Sequence, residues 1–138
     1  MPLERSDIKI DWELERKVFL FAADETPDGL YELPNELSRY KLTLAERMFV
    51  VFELLNELLK EGLITIDEYS SSEATEPSRS FELVESQEIL NNFYNWFPTS
   101  IPSYSIGTTE LGSKQLASLT EQESEQLRTR LFGTKKNS

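Results

Sequence analysis

The sequence predicts an α+β protein, mainly helical, with a small antiparallel sheet and further helices toward the C-terminus. Three observations carry this expectation. Residues 43–62, TLAERMFVVFELLNELLKEG, repeat apolar side chains at helical spacing. Residues 63–69, LITIDEY, switch to the alternation and β-branching of a strand. Residues 120–133 return to helical spacing behind a Thr-x-x-Glu start signal.

At 138 residues the chain fits one domain, expected over residues 1–133 with a disordered tail at 134–138. Such a length buries roughly two-thirds of the unfolded surface. The content, 38% hydrophobic and 28% charged, is that of an ordinary soluble globular protein. The longest apolar runs fall far short of a bilayer span, and the N-terminus lacks the apolar stretch of a signal peptide, so the expected location is cytoplasmic, with no membrane partner.

Residues 6–10 alternate polar and apolar as a short extended lead-in. Asp11 then suits the cap of a helix running through Ala23, with Leu14, Val18, Phe21 and Ala22 on one stripe. Trp12 and Phe19 lie off it, so either the helix is covered on two sides or an aromatic patch faces outward. Residues 24–29, DETPDG, form a turn. Their carboxylates match no complete calcium loop and read as a solvated turn. Leu30 and Tyr31 read as an extended bridge into a short helix at 34–40, with Pro34 in its first turn.

Thr43 and Glu46 then compose a capping box, and Gly62 supplies the left-handed residue that closes a helix. Between them Leu44, Met48, Val51, Phe52, Leu55, Leu58 and Leu59 form a broad apolar face. The resulting rod of roughly 27 Å is the width of a small domain. After the strand at 63–69, residues 70–80 are polar and expected to be mobile. Residues 81–84 return as a second strand. Ser86 caps a helix carrying Ile89, Leu90, Phe93, Trp96 and Phe97 on one aromatic face, and Pro98 stops it. Residues 104–106 read as a strand, 109–119 as a helix, and Thr120 with Glu123 opens the last helix.

The order helix, short helix, tight turn, long helix, then Glu61-Gly62-Leu63-Ile64 entering a strand resembles the winged-helix superfamily. The stretch from Ile106 to Leu116, IGTTELGSKQL, is similar to the place where winged-helix regulators leave the wing and enter their next helix. The resemblance implies a winged-helix-like domain with a small antiparallel wing sheet. It leaves the pairing of 63–69 open, with 81–84 or with 104–106; a three-stranded sheet satisfies both.

Function is constrained mainly by exclusion. With no Cys and no His, thiol nucleophiles, imidazole bases and the usual zinc and haem ligands are missing. Carboxylate pairs such as Asp24 with Asp28, or Glu32 with Glu36, are expected by chance where Asp and Glu total 25. There is no phosphate-cradling glycine loop or nucleophile elbow. The reading is a non-catalytic chain without cofactor or metal.

A net charge of −11 and a pI near 4.5 repel nucleic acid and attract basic proteins. The expected role is an acidic protein-interaction module, an inhibitor or immunity-type antagonist of a basic protein being one concrete form. Its site would combine Glu73, Glu76, Glu82 and Glu85 with an exposed aromatic drawn from Trp12, Phe19 and Trp96. The alternative is a DNA-binding transcriptional regulator. Its helix-turn-helix-like face is acidic, so it would need a basic surface from Lys114, Arg128 and Arg130, assembled by folding or as a homodimer.

Overall fold

The computed structural model describes residues 3–25, 29–70, 76–97 and 103–133. Residues 71–75 of the expected mobile loop and the tail at 134–138 lie outside the described residues. The helices described are α1 (Trp12–Glu25), α2 (Leu44–Lys60), α3 (Leu83–Leu90), α4 (Glu110–Ala117) and α5 (Glu121–Phe132). Short 3-10 segments run over Arg5–Asp7, Leu30–Leu37 and Phe93–Trp96. The strands are β1 (Ile64–Tyr69), β2 (Arg79–Ser80) and β3 (Ser103–Thr108). The result is an α+β fold, mostly helical, on a three-stranded antiparallel sheet.

α2 sits at the centre because its ends and its face agree. Thr43 Oγ1 accepts from the Glu46 amide at 3.1 Å, and Glu46 Oε1 accepts from the Thr43 amide at 2.8 Å. At the other end Gly62, at φ 73°, sends its amide to the Leu59 carbonyl while Leu63 reaches back to Leu58. That is the paired closure that only a left-handed residue permits cheaply. Leu54, Leu55 and Leu58 are buried against Phe19 of α1, Leu30, Leu33 and Leu37, and Ile66 and Ile106 of the sheet. Leu44, expected on the apolar face, is 70% exposed. It belongs to the first turn, which projects past the elements that cover the rest.

The closure of α2 also places α4. Thr109 Oγ1 donates to the Gly62 carbonyl at 2.7 Å and accepts from the Gly112 amide at 3.0 Å, so one side chain ties a helix end to a helix start. Gly112 is required there, since a Cβ would run into the Leu63 carbonyl oxygen.

Of the two strand pairings left open by the sequence, the one with 104–106 forms; the other side of β1 is taken by Arg79–Ser80 and not by 81–84. The order is β2-β1-β3, with Ile66 opposite Ile106 and Asp67 opposite both Ser80 and Ser105. Alternation then puts Ile64, Ile66 and Ile106 into the core. The opposite face is hydroxyl-rich: Asp67 accepts from Thr65 Oγ1 at 2.8 Å and from Ser80 Oγ at 2.7 Å.

Four elements differ from the expectation. The lead-in at 6–10, expected to be extended, starts in the 3-10 turn Arg5–Asp7, closed by the Glu4–Asp7 exchange of backbone and side-chain bonds. The short helix is a 3-10 segment beginning at Leu30, four residues before the expected start. Leu30 and Leu33 stack on one edge of a three-residue turn, and Pro34, which has no N–H to give, is tolerated inside it. Residues 83–84 open α3 instead of ending a strand, and β2 is only Arg79–Ser80. The expected aromatic helix from Ser86 to Phe97 is broken at Asn91-Asn92. Asn92 caps the following 3-10 turn by accepting from the Tyr94 amide at 3.1 Å. The carbonyls that end α3 are then met by side chains, Leu90 by Trp96 Nε1 and Ile89 by Asn95 Nδ2, each at 2.9 Å. Ser86 is no cap; it is buried and donates to the Phe81 carbonyl at 3.3 Å.

Candidate protein-docking surface

Two groups of carboxylates on the described surface contrast. The first lines α2. Glu53, Glu57 and Glu61 recur every four residues, and a row of like charge at that spacing weakens a helix unless something opposes it. Two arginines do. Arg5 Nε meets Glu53 at 3.0 Å and its Nη2 meets Glu57 at 2.7 Å, while Arg16 reaches Glu57 at 2.8 Å and Glu61 at 2.7 Å. The bonds to Glu57 and Glu53 raise the Arg5 pKa against the opposing effect of burial. The acidic stripe of α2 is thus answered from within the chain.

A deeper internal pairing involves Glu15, fully buried on α1. Arg130 of α5 grips it with two bonds, Nε to Oε2 at 2.8 Å and Nη2 to Oε1 at 2.7 Å, and also donates to the Glu36 carbonyl. Tyr40 adds its hydroxyl at 2.6 Å. Burial and the bond to Glu15 push the Tyr40 pKa up to about 12, and the bond to Glu15 raises that of Arg130.

The second group stands on α3. Taking Leu90 as the inward mark, helical geometry turns Val84, Glu85 and Glu88 to the opposite side. All three are exposed, Val84 at 66%, and Leu83 and the capping residue Glu82 are exposed beside them. Glu85 has a loose partner in Arg79 at 3.7 Å. Glu82 and Glu88 enter no ion pair among the described residues.

The expected site residues distribute unevenly over these features. Glu82 and Glu85 fall on the outward face of α3, Glu76 is exposed ahead of β2, and Glu73 lies outside the described residues. Of the candidate aromatics, Phe19 is 0% exposed and Trp96 is buried against Phe52, with ring centroids 5.3 Å apart. Both are core, because α1 is covered on two sides and the Asn-Asn break folds Trp96 back onto α2. Trp12 is half-buried; Arg5 lies 4.6 Å over its ring and Phe49 meets it edge-on.

In the alternative set, Arg130 is committed to Glu15 with a side chain only 8% exposed, so it is withdrawn from any phosphate. Lys114 and Arg128 are exposed, paired with Glu110 and Glu125. Among the described residues no group of three or more His, Cys, Asp or Glu could hold a metal ion, and no helix is long and apolar enough to cross a membrane.

Leu83 and Val84 were not legible as surface residues, since apolar residues after β-prone Phe81 read as a strand. The available signal was the spacing of Ser86 and Leu90, which leaves Val84 off the buried stripe. No known protein family, curated protein or solved structure matches the chain.

Proposed function

We propose that the chain is a non-catalytic, winged-helix-like protein-interaction module that docks a basic partner on the outward face of α3. The observation that carries this reading is the contrast in pairing: the carboxylates of α2 are held by Arg5 and Arg16, whereas exposed Glu82 and Glu88 enter no ion pair among the described residues, Glu85 has only the 3.7 Å contact with Arg79, and exposed Leu83 and Val84 stand beside them. Exposed aliphatic side chains beside like charge suit a partner presenting an apolar contact next to basic residues. An antagonist of a basic protein fits that description. The helix, short helix, long helix and three-stranded sheet support the winged-helix likeness, with α3 inserted between β2 and β3.

Charge sets the rate of encounter, and the buried apolar contact sets residence time. Glu82, Glu85 and Glu88 replaced together by Gln should slow association and flatten its salt dependence. Val84→Ala should quicken dissociation instead. The test is capture from source-cell lysate on wild type and on the Gln variant in parallel, followed by binding kinetics on proteins that only wild type retains. Equal capture by both, or association as fast for the variant at low salt, overturns the reading. Submicromolar, salt-sensitive binding of duplex DNA lost on replacing Lys114 and Arg128 would favour the regulator instead.

A further inference from the structure

α5 divides its charge along its length, with Glu121, Glu123 and Glu125 in the first half and Arg128 and Arg130 in the second. Arg130 turns inward to Glu15. Glu121, Glu125, Arg128 and Phe132, at i, i+4, i+7 and i+11, share one outer side of the helix. Beside that side lies a groove of about 380 Å³ between α1, α4 and α5, whose apolar lining includes Phe21, Leu116, Leu119, Leu127 and Leu131. Phe132 stands at its lip, 73% exposed.

We propose that a second copy of this chain covers the groove, with the two α5 helices antiparallel about a two-fold axis between positions 126 and 127. Charge complementarity argues for this occupant. In an antiparallel two-fold pair the numbers of facing residues have a constant sum, and one sum serves the whole outer side: the exposed Arg128, which already pairs with Glu125 of its own chain, also faces Glu125 of the second copy, so that the two pairs join into one network, while Glu121 faces Phe132. Each Phe132 then lies over the start of the other α5, where Leu119 and Leu116 open the groove. The interface is isologous, so every contact is made twice.

The overall charge of −11 opposes self-association at low salt. At physiological ionic strength, where screening acts over about 8 Å, the local opposite charges decide. This face is on a different helix from the α3 surface, so either proposal can fail without the other.

Sedimentation equilibrium on the full chain, from about 1 μM to 1 mM, should show the mass rising from one chain toward two. Phe132→Ala, at an exposed position that leaves folding intact by circular dichroism, should raise the dissociation constant about tenfold or more. Arg128→Glu should weaken the dimer by opposing Glu125 with like charge, and the double exchange Glu125→Arg with Arg128→Glu should restore it. A single-chain mass across the whole range overturns the proposal. So does a dimer that Phe132→Ala leaves unchanged, or one that the double exchange fails to restore.

Discussion

The carboxylates of α2 and those of α3 have the same chemistry and opposite fates. Glu53, Glu57 and Glu61 are part of how the chain folds, because Arg5 and Arg16 join the N-terminal segment and α1 to the central helix through them. Glu82, Glu85 and Glu88 join nothing so firmly, Glu85 having only the 3.7 Å contact with Arg79. An acidic composition therefore says little about function until each charge is traced to its partner. The portion spent on internal pairing is unavailable to another molecule. Glu15 is the extreme case, a carboxylate held entirely within the protein.

The sharpest way to break this contrast is at that extreme. Arg130→Ala leaves Glu15 buried and unpaired, and the expected loss is about 3–5 kcal/mol in urea unfolding. A loss no greater than that of a surface substitution would place Glu15 among the outward carboxylates and erase the distinction.

Tyr40 reports on the same group by pH. Its folded pKa, near 12, lies above the usual value of 10.0. The unfolded chain therefore releases this proton first as pH rises, and folding stability is full below about pH 10 and declines through about pH 12. Tyr40→Phe should remove that part of the alkaline decline while losing about 1.5 kcal/mol or more at neutral pH for a bond to a charged group. An unchanged alkaline profile in the variant would show that Tyr40 does not carry it.

Arg16→Ala tests the shallower pairing on α2. The pair is partly exposed, so the expected loss is about 1 kcal/mol or less, diminishing with added salt. Denaturation at low and high salt separates this from a packing effect, which salt leaves in place. The smallest effect is expected on α3: Glu82, Glu85 and Glu88 changed to Gln should alter stability by no more than about 0.5 kcal/mol. A larger destabilisation would show that these carboxylates also serve the fold, and the docking surface would lose its basis.

Much of the fold was legible because its signals are local. Thr43 with Glu46 and Thr120 with Glu123 act over four residues and the Gly62 closure over six, and all three form as expected. The strand alternation in 64–69 was equally readable, since period-two burial follows from the pleat itself. The Asn91-Asn92 break was missed because aromatic spacing continues across it. What decides there is side-chain competition for the carbonyls of Ile89 and Leu90, which needs Trp96 and Asn95 already in place.

The sequence by itself determined the Thr43 and Thr120 caps, the central apolar helix, the strand at 64–69 and the lack of any His or Cys chemistry, because each depends on residue type and short-range spacing. The tertiary structure alone decided which charges are spent. Arg5 meets Glu57 across 52 positions and Arg130 meets Glu15 across 115, and no local pattern foretells partners so far apart. It also decided which aromatics are buried, since Phe19 and Trp96 are covered by elements remote in the chain. Exposure is a property of what packs on a residue, and packing is fixed only when the whole chain has closed on itself.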